Sequence, residues 1–145
     1  MKVLIAANGN TLNDLIARRF ESATWFLIAD THNLHVTCVE NLGPRSRQEI
    51  VARAVNEGVD TIITSGLGLQ SYNLAATFRM KIAIAPEMAA REVIQRIRGG
   101  KLPIFESGII GEIVHEQILN RMHQRMHFRE KETRGAIRRT LGTRS

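Results

Sequence analysis

The sequence predicts a mixed-sheet α/β domain over residues 1–108, followed by a basic amphipathic helix and tail over 109–145. Three observations predict it. Short apolar, strand-like runs alternate with helical patterns, two β-rich runs are parted by only four polar residues, and the charge balance shifts near Gly108. Strands alternating with helices require right-handed crossovers and a largely parallel sheet, and the hairpin adds an antiparallel edge.

The elements follow in order. Val3 to Ala7 is a buried-strand run. Thr11-Leu12-Asn13-Asp14 then has the form of a capping box, whose Asp14 can return a hydrogen bond to the start of a short helix through Arg18. Thr24 to Ala29 and Leu34 to Val39 read as strands joined by the loop Asp30-Thr31-His32-Asn33, and they should pair antiparallel. Ser46-Arg47-Gln48-Glu49 is a second capping box. It opens a helix with Ile50, Val51, Ala54 and Val55 on one face, and Gly58 is placed to end it. Thr61 to Thr64 is a strand whose continuous apolar character suits a central position covered on both faces. Gln70 to Phe78 reads as a helix and Lys81 to Ala85 as a strand. Glu87 to Arg98 reads as a helix in which Glu87 and Arg91, and Glu92 and Arg96, can pair at i,i+4 before Gly99-Gly100 stops it.

Composition narrows the function classes. A chain of 145 residues suits one domain with an appended element. No apolar stretch approaches the roughly 18 residues that span a bilayer. The start, Met1 to Asn10, is too short in apolar residues for a secretory signal, so the expected location is the cytoplasm, with no membrane partner. The lone cysteine, Cys38, cannot form an internal disulfide, and its place on a strand beside Thr37 and Val39 reads as a small buried hydrophobe. Of the 20 Lys/Arg and 14 Asp/Glu, eight and four lie in 109–145, which leaves the body nearly neutral.

Ligands of such sheets sit beyond the carboxyl ends of the parallel strands, where helix N-termini present free N–H groups. Three loops qualify: Asn8-Gly9-Asn10, Ser65-Gly66-Leu67-Gly68 and Pro86-Glu87. The Gly-x-Gly at 66–68 lacks both the third glycine of a dinucleotide fingerprint and the Gly-Lys-Ser/Thr of a phosphate loop. Two readings stand. The glycines simply permit a tight strand-to-helix turn, or the turn lets backbone N–H groups approach an anion. Nuclease chemistry needs carboxylates converging on divalent metal. Asp14, Asp30 and Asp60 fall at a helix start, a hairpin and a strand start, a spacing that does not suggest one cluster.

Several stretches, in order and spacing, carry a family resemblance: Met1 to Ala6, Phe20 with Trp25 to Asp30, Glu40-Asn41, Gly58 to Gly68, and Met80 to Pro86. Over residues 1–103 the chain resembles the dinitrogenase iron-molybdenum cofactor biosynthesis family, the NifX and NafY type of carrier domain also found at the end of NifB. The resemblance implies a ribonuclease H-like fold, three layers with a mixed sheet. It also implies non-catalytic binding of an iron-sulfur cluster or iron-molybdenum cofactor precursor during nitrogenase cofactor assembly, with a cofactor-assembly protein as partner. The expected binding set is Asn8, Gly9, Asn10, Arg19, Phe20, Ser65, Gly66, Leu67 and Gly68. Where the family commonly has His-Phe-Gly, this chain has Arg19-Phe20-Glu21. A guanidinium cannot donate a lone pair to iron, although it can pair with an anionic cofactor. Arg45 and Arg47 could join Arg18 and Arg19 in a basic rim.

In the tail, Ile110, Val114, Ile118, Met122 and Met126 form an apolar stripe at helical spacing, so 109–128 is expected to be an amphipathic helix that packs on the body or joins a homodimer. His123 and His127 lie at i,i+4, with His115 eight residues before His123, and are the candidate metal ligands. Besides the carrier reading, the sequence leaves two others. One is an interaction module that has lost the cluster and docks through this helix. The other is a nucleic-acid binder using the basic tail, which finds no support in the aromatic-poor, charge-balanced body.

Overall fold

A computed structural model describes residues 1–107. It contains strands β1 (Lys2–Ala7), β2 (Trp25–Asp30), β3 (Val36–Glu40), β4 (Thr61–Thr64), β5 (Lys81–Ile84) and β6 (Phe105–Glu106), with helices α1 (Pro44–Asn56), α2 (Leu69–Thr77) and α3 (Ala90–Arg98). The six strands form one sheet in the order β3-β2-β1-β4-β5-β6. β1, β4 and β5 run parallel, while β2, β3 and the short β6 are antiparallel to their neighbours. The expected hairpin edge is therefore present, and β4 lies inside the sheet.

Period-two alternation divides the core into two apolar layers. Leu4, Ala6, Phe26, Ile28, Ile62 and Ile82 face one side, where α1 contributes Ile50, Val51 and Ala54 and α2 contributes Ala75. Val3, Ile5, Ala7, Leu27, Ile63 and Ala83 face the other, against Ala90, Val93 and Ile94 of α3. All four residues of β4 are buried, as a strand covered on both faces requires. Helices thus cover both faces of a mixed sheet. No helix among the described residues is long and apolar enough to cross a membrane.

Four local expectations are corrected. The segment Thr11–Arg18 is not a helix. Asp14 does accept from the Thr11 N–H (2.9 Å) and hydroxyl (2.7 Å). The N–H groups that would continue a helix bond elsewhere, Ile16 to the Met88 carbonyl (2.9 Å) and Ala17 to the Ala6 carbonyl (2.8 Å). Tertiary partners have outcompeted the local ladder, and the segment buries Leu12, Ile16 and Ala17 as an irregular stretch of turns and bridges.

α1 begins at Pro44, not at Ser46. The proline's missing N–H costs nothing at the first helical position, Gly43 turns the chain in at φ +119°, and the Ser46 hydroxyl donates to the Glu40 carbonyl instead of capping.

α3 begins at Ala90 rather than Glu87. The Met88 carbonyl is taken by Ile16, Glu87 pairs with Arg18, and Arg91 donates to Asn13 Oδ1 at 3.2 Å.

Cys38, finally, is exposed, not buried. It lies opposite Leu27 on β3, which is an edge strand of the sheet. The helix expected over 109–128, its stripe, and the candidate ligands His115, His123 and His127 lie outside the described residues.

Candidate functional site

Because β1, β4 and β5 are parallel and in register, the loops that follow them emerge at one edge of the sheet. The segment Leu15–Phe20 crosses that edge and ties the strands together. Ala17 N–H bonds the Ala6 carbonyl at the end of β1, Phe20 N–H bonds the Gly66 carbonyl after β4 (2.8 Å), and Leu15 bridges to Ala89 beyond β5. Phe20 is the anchor. It is buried, and its ring lies 4.9 Å from that of Phe26 at an interplanar angle of 49°.

Anchoring Phe20 fixes its two neighbours at the Ser65–Gly68 turn. Glu21 Oε1 accepts the Gly68 N–H at the start of α2 at 2.5 Å, and Arg19 Nε reaches Glu21 Oε2 at 3.4 Å. Arg47, from the first turns of α1, donates to the Glu21 main-chain carbonyl at 3.4 Å. Asn41 Nδ2 binds the neighbouring Ala23 carbonyl at 2.8 Å. Burial by itself raises the Glu21 carboxyl's pKa. The Ser71 hydroxyl, the Gly68 and Glu21 N–H groups and the Arg19 charge outweigh it, so the pKa lies below its ordinary value. A carboxylate thus occupies the positive end of α2, where free N–H groups and the helix dipole favour an anion.

This geometry explains the two glycines. Neither Gly66 nor Gly68 is among the residues with positive φ, so conformational freedom is not the reason for them. A Cβ on Gly66 would come within 3.1 Å of the Arg18 carbonyl oxygen, and one on Gly68 within 3.0 Å of Glu21 Oε1 and 3.2 Å of Arg19 Nη2. The turn is glycine-rich because the 18–21 segment passes close over it. Next to it, Ser65 Oγ is buried without a hydrogen-bond partner among the described residues.

Of the residues expected at a site, the structure brings Arg19, Phe20 and the Ser65–Gly68 turn together. Asn8, Gly9 and Asn10 lie at the same sheet edge but fold onto the next segment: Asn8 N–H bonds the Leu15 carbonyl (2.9 Å), and Gly9 packs directly on the Asp14 carboxyl. The basic rim is largely paired off. Arg18 holds Glu87 at 3.0 Å and Arg45 holds Glu49 at 3.7 Å, both exposed pairs of little energetic weight. Of the four, Arg19 and Arg47 reach Glu21, one at its carboxylate and the other at its main-chain carbonyl. Sequence reasoning passed over Ser71 and treated Glu21 only as a departure. The one signal available was the serine three residues after Gly68, in the first turn of the helix.

Asp14 lies at the carboxyl edge, whereas Asp30 and Asp60 lie at the opposite end, beside Lys2 and before Thr61. Among the described residues no three His, Cys, Asp or Glu side chains group as metal ligands do. What the turn offers is a set of donors for negative charge: backbone N–H, hydroxyl and guanidinium.

A family model described as dinitrogenase iron-molybdenum cofactor matches residues 1–100. Among solved structures, the chain is similar to a protein from Thermotoga described as a NifB protein, at 27% identity and TM-score 0.59, over 70% of this chain and 90% of that one. It is also similar to the apo form of the orange protein from Desulfovibrio gigas (20% identity, TM-score 0.60, 72% and 94%). A third, from Methanocaldococcus jannaschii and described as a dinitrogenase, is 22% identical at TM-score 0.57, over 72% and 94%. The last two likenesses concern the fold. No curated protein matches. With the match extending over more than two thirds of its length, the chain belongs to the dinitrogenase iron-molybdenum cofactor family.

Proposed function

We propose that this chain is a non-catalytic carrier that binds an iron-sulfur cluster or an iron-molybdenum cofactor precursor at the carboxyl edge of its sheet and passes it to a partner in cofactor assembly. Family membership supplies the class of cargo. The observation that supports this position is the seat at the start of α2, where the Glu21 carboxylate stands in for an anion between the Gly68 N–H and Arg19.

The residues present fit a negatively charged group held by charge-assisted hydrogen bonds. They do not supply a ligand set for iron, since guanidinium and N–H groups have no lone pair to give. In this reading Arg19 and Arg47 balance the cargo's charge, and Gly66 and Gly68 leave room for the 18–21 segment that lines the seat. Phe20 keeps the loop in place, and Asn8, Gly9, Asn10, Ser65 and Leu67 form the rim. The cargo, when bound, supplies the metal-sulfur chemistry, and the protein binds, orients and releases it.

The test is anaerobic reconstitution of the full chain with iron and sulfide, followed by amide resonances. Paramagnetic broadening confined to residues 8–10, 19–21 and 65–71 supports the reading. Broadening elsewhere with these loops silent overturns it.

A further inference from the structure

We propose that Glu21 is a built-in competitor at this seat: its carboxylate holds the start of α2 closed, and an anionic ligand enters the Ser65–Gly68 turn only by displacing it. This inference rests on the reading of the turn as the ligand seat and concerns how that seat is controlled.

Three observations support it. First, Glu21 is bound as an anionic ligand would be, by the Gly68 N–H and the Arg19 guanidinium. Charge-assisted bonds of this kind are among the stronger ones a protein makes. Second, the carboxylate can leave without unfolding its surroundings. Its side chain keeps 27% of its exposure, whereas the neighbouring Phe20 is 1% exposed and fixed in the core. Rotation about the Glu21 side chain therefore frees the seat while Phe20 and the 3-10 turn Phe20–Ser22 stay in place. Third, the donors left behind favour a replacement. The Gly68 N–H is a part-buried group that loses its partner when Glu21 departs, which makes an empty seat costly and a second anion welcome. The Arg19 side chain, 60% exposed, can follow either anion.

A tethered carboxylate competes at high effective concentration, so a weak or singly charged anion is excluded and a multiply charged one can win. Glu21 thereby sets a threshold on what the turn accepts. Residues 19–21 and the α2 start act as one latch, with Arg47 and Asn41 holding the main chain of Glu21 and the adjoining turn from the α1 side.

The test uses inorganic phosphate as the probe and the amide signals of Gly68, Leu69 and Ser71 in the full chain at neutral pH as the readout. Glu21→Ala is expected to bind phosphate at least tenfold more tightly than the wild-type protein, with saturable shifts confined to these amides. Glu21→Gln, which keeps the shape and loses the charge, is expected to fall between the two and serves alone if the alanine variant does not fold. Folded variants that bind phosphate no better than wild type overturn the proposal. So does a wild-type chain that binds it as tightly as they do. Iron and sulfide content of the same preparations is read separately: tighter phosphate binding by the variants with no metal in any of them supports the latch and removes the carrier reading.

Discussion

Glu21 and Gly68, 47 residues apart in sequence, are joined by a hydrogen bond from the Gly68 N–H to Glu21 Oε1, so that the first helix behind the central strand is capped by a carboxylate from a distant loop. The same contact would bring a Cβ at position 68 within 3.0 Å of the carboxylate and puts a negative charge at the edge where ligands would arrive.

The pH dependence of stability follows from that contact. The folded-state pKa of Glu21 lies below the ordinary value of 4.5, so its contribution is fully present above pH 4.5 and is lost as pH falls through the lower folded value. Glu21→Gln should cost about 1–2 kcal/mol at pH 7, at the lower end for hydrogen bonds to a charged group because the amide keeps an acceptor. The gap between the two proteins should close in acid. Urea unfolding of both across this range is the check, and a gap constant with pH would contradict it.

Ile63, with no exposure on the central strand, faces α3 together with Ile5 and Ala83. Ile63→Ala should cost about 2–5 kcal/mol through lost burial and the cavity left behind. A cost below about 1 kcal/mol would mean that β4 is not packed on both faces.

Gly58 ends α1 at φ +92° in open space, with nothing within 4 Å of a would-be Cβ. Gly58→Ala should therefore cost about 1–2 kcal/mol from backbone strain alone. Thermal unfolding measures this, and a neutral or stabilising substitution would contradict the left-handed turn.

Gly9 and Asp14 form a tighter pair. A Cβ at position 9 would collide with the Asp14 carboxyl, which is held by the Thr11 N–H and hydroxyl. Gly9→Ala should destabilise the chain, and much less so in an Asp14→Ala background. A double-mutant cycle reads the coupling directly, and additive effects would rule out the contact.

What could be read from sequence was what local physics decides. Thr61–Thr64 stood out because a short apolar run follows Asp60 and ends at glycines, and β1, β2, α1 and α2 were legible from their periodicity to within two residues. The 11–18 segment was misread because Thr11 and Asp14 do form their local bond while the N–H groups of Ile16 and Ala17 are taken by distant carbonyls. β6 gave no signal, since two exposed residues paired to β5 have no period to detect. Cys38 was misplaced because the strand pattern does not say that β3 lies at the edge. The site was half legible: converging loops follow from strand order, but the partnership of Glu21 and Gly68 depends on a chain crossing that no local pattern encodes.

The central claim, that this chain carries a metal-sulfur cargo, is tested most directly by isolating the full chain anaerobically from a host that assembles the iron-molybdenum cofactor and measuring iron, sulfide and molybdenum per chain. The account predicts iron and sulfide at a fixed, near-stoichiometric ratio to protein. A well-folded, metal-free chain from such a host would contradict it.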